Sequence, residues 1–276
     1  MTAEDWNSQG VELGEAEKHQ KALEAFEKAI ELNPNFAWAW NSKGVILGLL
    51  GRYQEELEAF DKAIEIDPKY AEAWYNKGNA LYKLGRHQEA LEAFDRAIEL
   101  NPNFAWAWCN KVIALDILMR HQEALKACDK AIKLNPQFAV AWLNKGFALG
   151  LLGRDQEALK AYDKALKLNP QFAVAWCNKG IALALLGRNQ EALEACDKAI
   201  ELNPKYAEAW YGKGNALGGL GRYQESLEAC DQAIKLDPKY AEAWYGKGVA
   251  LGLLGRDQEA LEALAKAAEL GAWNFL

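Results

Sequence analysis

The stretch from Ala71 to Phe104, AEAWYNKGNALYKLGRHQEALEAFDRAIELNPNF, contains two segments with the periodicity of amphipathic helices. The residues that share one face are Trp74, Gly78 and Leu81 in the first segment, and Ala90, Phe94 and Ala97 in the second. Gly85-Arg86 separates the segments. Asn101-Pro102 ends the second, because proline has no N–H and disfavours helical geometry in the residue before it. The stretch therefore predicts a helical hairpin of 34 residues.

The same pattern runs along nearly the whole chain of 276 residues. Tryptophan recurs every 34 residues from Trp6 to Trp244, and the prolines form a second series of the same period, from Pro34 to Pro238. The two series place eight repeats at residues 3–36, 37–70, 71–104, 105–138, 139–172, 173–206, 207–240 and 241–274. A hairpin this short cannot bury its own apolar face, so each must stack on its neighbours. The sequence therefore predicts one continuous array over residues 1–276.

The composition is typical of an ordered chain in water, with 51% hydrophobic and 26% charged residues and no apolar run long enough to span a bilayer. We therefore expect no membrane insertion. The segment from Met1 to Trp6 has no basic stretch and no apolar core of a signal peptide, which favours a cytoplasmic location. A net charge of −7 disfavours nucleic acid as a partner, because phosphate binding requires a concentrated basic face.

The sequence offers little chemistry for catalysis. The five cysteines are odd in number and have no CxxC spacing, which indicates neither a disulfide framework nor a zinc site. The three histidines lie in different repeats, too far apart to bind one metal ion, and there is no phosphate loop or G-x-S-x-G motif. We therefore expect no enzymatic activity, no metal and no cofactor.

The order W-x-x-x-G-x-x-L/Y, then A-x-x-x-F/Y-x-x-A, then P, at 34-residue spacing, resembles the tetratricopeptide repeat (TPR) over residues 3 to 274. The resemblance implies an all-α fold, a right-handed α-α superhelical solenoid of helix-turn-helix units whose first helices line a concave groove. The sequence departs from the family pattern at Val112 and Met119, which replace glycines, and at Ala272, which replaces proline. Lysines from Lys43 to Lys247 replace the usual leucine; we expect their stems to pack and their ammonium groups to reach solvent.

The resemblance also implies that positions 2, 5, 6, 9, 12 and 13 of each repeat line the groove, where position 1 lies three residues before the tryptophan. Position 6 carries asparagine in four successive repeats: Asn76, Asn110, Asn144 and Asn178. An amide both donates and accepts hydrogen bonds, so this ladder can pair with the backbone of an extended peptide. A repeat spacing of about 9 to 10 Å matches every third residue of a strand that rises about 3.3 Å per residue. The alternative is that the asparagines are solvated products of repeat duplication.

Apolar residues surround this ladder in repeats four to six. They are Cys109, Leu143 and Cys177 at position 5, Ile113, Phe147 and Ile181 at position 9, Val140 and Val174 at position 2, and Ile117, Leu151 and Leu185 at position 13. Aromatic residues flank them, Trp38, Tyr75, Tyr82 and Trp106 on one side and Tyr211 and Tyr245 on the other. A contiguous exposed apolar patch normally marks an interaction site, and tryptophan and tyrosine are the usual anchors. The alternative for positions 9 and 13 is packing against the neighbouring first helix.

These features predict a scaffold or adaptor that binds a protein or peptide partner, through an extended or amphipathic apolar segment held in the concave groove. No repeat has lysine or arginine at position 2, 5 or 6, which disfavours a clamp for a C-terminal carboxylate. Two alternatives remain open. One is a self-associating structural module with no dedicated ligand, and the other is the substrate-recruiting arm of a larger enzyme. The apolar tail from Gly271 to Leu276 either folds over the last repeat or docks on another copy and makes a homo-oligomer.

Overall fold

The computed structural model describes residues 1–271, and these form sixteen helices and no strand. The first helices of the eight repeats are α1 (Ala3–Glu15), α3 (Ala37–Leu49), α5 (Ala71–Lys83), α7 (Ala105–Ile117), α9 (Ala139–Leu151), α11 (Ala173–Leu185), α13 (Ala207–Gly219) and α15 (Ala241–Leu253). The second helices are α2 (His19–Leu32), α4 (Tyr53–Ile66), α6 (His87–Leu100), α8 (His121–Leu134), α10 (Asp155–Leu168), α12 (Asn189–Leu202), α14 (Tyr223–Leu236) and α16 (Asp257–Glu269). The predicted all-α solenoid of helix-turn-helix units is therefore confirmed. Ala272 and the rest of the predicted self-association tail lie outside the described residues.

The chain forms two compact units, Met1–Pro136 with the first four repeats and Gln137–Leu276 with the last four. In each unit the two helices of a hairpin pack on each other, and each second helix packs on the first helix of the next repeat. Consecutive first helices are also in contact, whereas within the described part of each unit consecutive second helices are not. The first helices therefore form the closer-packed inner face of each unit. One array over the whole chain stays a prediction.

Glycine after the first helix sets the turn to the second helix in six of the eight repeats. Gly51 has a φ of +74°, and the N–H of Arg52 donates to the carbonyl of Leu47 at 2.9 Å, which closes the helix end. Glu17 and Met119 adopt the same left-handed conformation, with φ of +57° and +59°. A side chain disfavours this region of φ, so the turns of repeats one and four are strained where the glycine turns are not.

The two helices of a hairpin approach closely because a small residue on one faces a large residue on the other. A Cβ atom added to Gly78 would lie 2.5 Å from the ring of Phe94, so only glycine allows this approach. In repeat six the facing residue is smaller, and a Cβ at Gly180 would lie 2.5 Å from Sγ of Cys196. Repeat four combines Val112 at the glycine position with cysteine at the aromatic position, and both residues are buried. The exchange keeps the summed volume of the pair.

The repeat tryptophans link consecutive repeats. Nε1 of Trp74 donates to the carbonyl of Pro68, the proline that ends the preceding repeat, at 3.1 Å. The same bond, at 2.9 to 3.1 Å, starts from Trp40, Trp108, Trp176, Trp210 and Trp244. The Lys77 ammonium lies 5.3 Å from the Trp74 ring centroid and forms an ion pair with Asp61 of the preceding repeat at 2.7 Å. The lysine series therefore contributes to the junctions between repeats through both contacts.

Met119→Gly is expected to raise the free energy of unfolding by about 0.5 to 1 kcal/mol. Relief of the left-handed conformation, about 1 to 2 kcal/mol, exceeds the extra entropy of glycine in the unfolded chain, about 0.4 to 1 kcal/mol. Met119 is 76% exposed, so little packing is lost. Urea denaturation followed by circular dichroism measures the change. Gly153→Met, at the same position of repeat five, is the control and should lower stability; shifts of the same sign in both variants contradict the strain argument.

Trp210→Ala is expected to lower the free energy of unfolding by about 3 kcal/mol, because it removes both the packing of the indole and its bond to the Pro204 carbonyl at 3.0 Å. Trp210→Phe retains most of the packing and loses the hydrogen bond, so it should cost about 1 kcal/mol. Chemical denaturation of the full chain distinguishes the two. Equal losses in both variants would mean that the hydrogen bond, not the packing, dominates the junction.

Candidate functional site

Polar side chains on the inner face of the first unit bind one another across the repeats. Nδ2 of Asn76 donates to Oδ1 of Asn41 in the preceding repeat at 3.0 Å. Nδ2 of Asn110 donates to the Tyr75 hydroxyl at 3.1 Å and to Oδ1 of Asn79 at 2.7 Å, both in the preceding repeat. The asparagines of the first unit are therefore cross-links between consecutive first helices.

Two buried carboxyl groups occupy the space beneath this face. Glu56 has a side chain that is 5% exposed and accepts a hydrogen bond from Nζ of Lys83 at 3.3 Å. Asp116 is similarly buried, and its Oδ1 lies 3.1 Å from Nδ1 of His121. Burial raises the pKa of both carboxyl groups, because it disfavours the charged form. Most repeats have alanine or serine in place of Glu56 and glycine or alanine in place of Asp116, so these acids are particular to the first unit.

The inner face of the second unit contains three adjoining cavities, which we name by the repeats that flank them. Pocket 5/6 has a volume of about 220 Å³ and lies between α9 and α11, above the start of α10. Its apolar wall includes Phe147, Leu151, Ile181 and Leu185. Its polar lining groups come from Asp155, Tyr162 and Asn178.

Pockets 6/7 and 7/8 continue the cavity along the second unit. Pocket 6/7, of about 450 Å³, shares Ile181 and Leu185 with pocket 5/6, and pocket 7/8, of about 240 Å³, shares Asn215 and Gly219 with pocket 6/7. The further lining residues include Asn189 and Gly212 in pocket 6/7 and Tyr223, Tyr245, Val249 and Leu253 in pocket 7/8. We call the three together the unit-two groove. Asp155 is the one charged residue among those that line it.

Glycine at position 6 of the last two repeats shapes the floor of this groove. A Cβ at Gly212 would lie 2.9 Å from Sγ of Cys196, and one at Gly246 would lie 3.0 Å from Sγ of Cys230. An asparagine at either position would therefore have to displace a buried sulfur. The cysteines that replace aromatic residues in α12 and α14 thus lie directly beside glycines of the next first helix.

The four asparagines of the predicted ladder have different environments. Both N–H groups of the Asn110 amide are used within the first unit, so its predicted donation to a bound peptide is wrong. Asn76 also donates to its own chain. Asn144 is half-buried. Asn178 lines pocket 5/6, is half-buried and has no hydrogen-bond partner within residues 1–271.

The prediction that position 5 of repeats four to six contacts a partner is wrong. Cys109 and Cys177 have no exposed surface and Leu143 is 8% exposed. Cys177, for example, points into the junction with the following repeat, where it packs with Ala199 and Ala209. Burial raises the pKa of the Cys177 thiol to about 12, so this thiol is also unreactive as a nucleophile.

The other predicted contact residues of the first unit differ in exposure. Trp38 and Trp106 are 62% and 52% exposed, and Ile113 and Ile117 are exposed as well. Tyr75 is half-buried, with its ring 4.8 Å from that of Phe104, so it serves the junction between repeats.

The remaining predicted residues of the second unit lie mostly at the surface. Phe147, Leu151, Val174, Leu185 and Tyr245 are exposed. Val140, Ile181 and Tyr211 are half-buried, and the Tyr211 ring makes an edge contact with Tyr240 at 5.4 Å.

The groove residues that belong to second helices were not predicted from the sequence. Asp155, Asn189 and Tyr223 occupy the same position, the first residue of α10, α12 and α14, and each lines one of the three pockets. The signal was available, because this position varies among histidine, tyrosine, aspartate and asparagine in a chain whose other second-helix positions are strongly repetitive.

Two further observations concern the chemistry of the described residues. Within residues 1–271 no group of three or more histidine, cysteine, aspartate or glutamate side chains is placed to hold a metal ion. In the same part of the chain, no helix has both the length and the apolar character that a membrane span requires.

Models of the tetratricopeptide repeat match residues 7–71, 71–104, 93–126, 139–172, 173–206, 207–240 and 229–262. The chain belongs to the tetratricopeptide repeat family. Membership of this family supports a function as a scaffold for protein interactions. No curated protein matches the chain significantly.

Solved structures show the same fold. YrrB, described as a TPR protein with an unusual peptide-binding site, is 28% identical, with a TM-score of 0.54 over 69% of this chain and 98% of its own. A tetratricopeptide repeat protein from Parabacteroides merdae is 16% identical, with a TM-score of 0.70 over 94% of this chain and 98% of its own. In the APC/C hetero-tetramer Cut9-Hcn1, the matching chain is 19% identical, with a TM-score of 0.74. The match covers 92% of this chain and 50% of the Cut9-Hcn1 chain. The last two likenesses concern the fold alone.

Gly150→Ala is expected to raise the free energy of unfolding by about 0.5 to 1 kcal/mol, because alanine is favoured in a helix and the added Cβ meets nothing within 4 Å. Gly146→Ala, one turn earlier in α9, should lower it by about 1 to 3 kcal/mol, since its Cβ would lie 2.4 Å from the Tyr162 ring. Thermal and urea denaturation measure both variants. Destabilisation by Gly150→Ala would show that the space beside this glycine is not open.

Proposed function

We propose that this protein is a scaffold whose unit-two groove binds an extended, largely apolar segment of a partner polypeptide. The observation that carries the proposal is the row of three adjoining pockets between consecutive first helices, with exposed Phe147, Leu151 and Leu185 on its walls. Contiguous exposed apolar surface of this kind is characteristic of interaction sites.

The size of the pockets favours side chains of a peptide over a small metabolite. Two of the three, at about 220 and 240 Å³, are smaller than the usual range for small-molecule sites, roughly 300 to 1,000 Å³. Each also shares residues with the next, so a ligand in one pocket continues naturally into its neighbour. Each pocket thus suits one side chain of a ligand that runs along the row.

The spacing of the pockets favours an extended segment. Neighbouring helices pack about 8 to 10 Å apart, and three residues of a polyproline II or extended chain cover roughly the same distance. Every third side chain then reaches a successive pocket. The free amide of Asn178 is available to the backbone of such a segment.

YrrB supports this proposal, since it is a TPR protein with a described peptide-binding site and covers more than two thirds of this chain. On this proposal the contact residues are Asn178, Phe147, Val174, Ile181, Leu185 and Tyr245, with Val140, Asn144 and Tyr211 at the margins. Trp38, Trp106 and Ile113 form a separate candidate surface on the first unit. The absence of lysine and arginine from the lining residues of the unit-two groove, together with a net charge of −7, supports a protein partner rather than nucleic acid. A cytoplasmic location remains part of the proposal.

One of the two alternatives involves a part of the molecule outside the inner face, and the other uses the groove itself. A homo-oligomer through the apolar tail concerns residues 272–276, outside the described residues. A recruiting arm of a larger enzyme would use the same groove for the substrate, so it is a special case of the proposed binding function.

Leu185→Glu is expected to weaken peptide binding by at least tenfold, because it places a charge on the wall shared by pockets 5/6 and 6/7. The probe is a pool of fluorescein-labelled, amidated nonapeptides of random alanine, leucine, valine and serine with glutamine at the centre, and the readout is fluorescence anisotropy with the full chain. Leu49→Glu is the matched control, since Leu49 is exposed at the same position of repeat two.

Binding that Leu185→Glu and Leu49→Glu reduce equally, or no binding of the pool by the native chain, would contradict the proposed groove. Circular dichroism melting of both variants establishes that they are folded, and both leucines are already exposed, so we expect little change in stability.

A further inference from the structure

The unit-two groove contains one charged lining residue, and its position suggests a selectivity. Asp155 begins α10 and lines pocket 5/6 together with the apolar side chains of Phe147, Leu151, Ile181 and Leu185. Within residues 1–271, Asp155 forms no ion pair and no side-chain hydrogen bond. This half-buried carboxylate beside an apolar wall is therefore available to a cationic group of a ligand.

We infer that pocket 5/6 receives a lysine or arginine side chain of the bound segment, with its aliphatic stem against the apolar wall and its charged head at Asp155. This inference rests on the function proposed above, and it adds the chemical class of the partner residue. Lysine and arginine are the side chains that combine a long apolar stem with a cationic end.

The surroundings of the pocket favour a cation over other polar groups. None of the residues that line the three pockets is lysine or arginine, so the chain supplies no competing positive charge at the groove wall. Glu208 and Glu242, at position 2 of repeats seven and eight, also lack ion-pair partners among the described residues, and they add negative charge to the same first-helix face. An anionic peptide would therefore be repelled, and a cationic one attracted.

The neighbouring groups are placed to bind the same head group. The Tyr162 hydroxyl and the Asn178 side-chain oxygen are both acceptors, and both residues line pocket 5/6. Burial raises the pKa of the Tyr162 hydroxyl, and the charge of Asp155 adds to this effect. The phenol therefore stays neutral and able to accept a hydrogen bond from an ammonium or guanidinium group.

The alternative role of Asp155 is to stabilise the start of α10, since acidic residues in a first turn interact favourably with the helix dipole. The chain contains a control for this effect. Asp257 occupies the same position at the start of α16, in the last repeat, and is exposed outside the three pockets. Asp155→Asn and Asp257→Asn remove the same charge from the same place in a helix, but Asp155 lines a pocket of the groove and Asp257 lines none of the three.

The experiment uses four pools of amidated nonapeptides, labelled at the N-terminus, that carry lysine, arginine, glutamine or glutamate at the centre of the same random alanine, leucine, valine and serine sequence. Fluorescence anisotropy measures their dissociation constants with the native chain, Asp155→Asn and Asp257→Asn at fixed ionic strength. We expect the lysine and arginine pools to bind about tenfold more tightly than the glutamine pool, the effect of one charge-assisted hydrogen bond. Asp155→Asn should abolish this preference, whereas Asp257→Asn should retain it.

The outcomes separate the two proposals. Equal binding of the lysine, arginine and glutamine pools to the native chain overturns the cation site and leaves the peptide groove standing. A preference that survives in Asp155→Asn, or that Asp257→Asn removes to the same extent, also overturns it, since the overall negative charge would then be responsible. Failure of every pool to bind contradicts the proposed function itself.

Discussion

The hydrogen bond from the repeat tryptophan to the carbonyl of the preceding proline is the interaction on which the repetitive geometry depends. It joins a helix start to the turn before it, at 2.9 to 3.1 Å, with nearly the same geometry at Trp40, Trp74, Trp108, Trp176, Trp210 and Trp244. Proline has no N–H, but its carbonyl at the end of a helical repeat needs a partner, and the indole N–H supplies it. The lysine one turn later adds an ion pair to the preceding second helix and a cation–π contact to the same indole. Each junction thus fixes the position of one hairpin on the next.

With the junctions fixed, the chain varies the inner face without altering the stack. The first unit fills that face with Asn76, Asn110 and Tyr75, and places Glu56 and Asp116 below it. The second unit has Gly150, Gly212 and Gly246 on that face, and each of these glycines lines one of the cavities. Neither change touches the tryptophan, the proline or the lysine of the repeat. The same repeat framework therefore carries internal polar contacts in one unit and open cavities in the other.

Glycine has two separate functions in this chain. In the turns after the first helices it supplies the left-handed conformation, as at Gly51. Where glycine is replaced, as at Met119, a residue with a side chain has to adopt the same conformation. Inside the first helices it permits close approach, as at Gly78 against Phe94. Gly150 belongs to neither class, because nothing lies within 4 Å of where its Cβ would be. The open space beside Gly150 belongs to pocket 5/6, which this glycine helps to line.

The amino-acid sequence by itself determined the repeat period, the helical hairpin and the family, because the 34-residue spacing of tryptophan, glycine and proline leaves one stable arrangement of short amphipathic helices. It also identified the exposed apolar wall around Phe147 and Leu185. The tertiary structure alone decided which polar groups are free. Asn110 and Asn178 are equivalent in the repeat, yet the first finds Tyr75 and Asn79 across the junction and the second finds no partner among the described residues. Position 5 was misjudged for the same reason, since the exposure of Cys177 depends on the following repeat. Contacts between repeats are set by residues about 34 positions apart, and a pattern read within one repeat does not contain them.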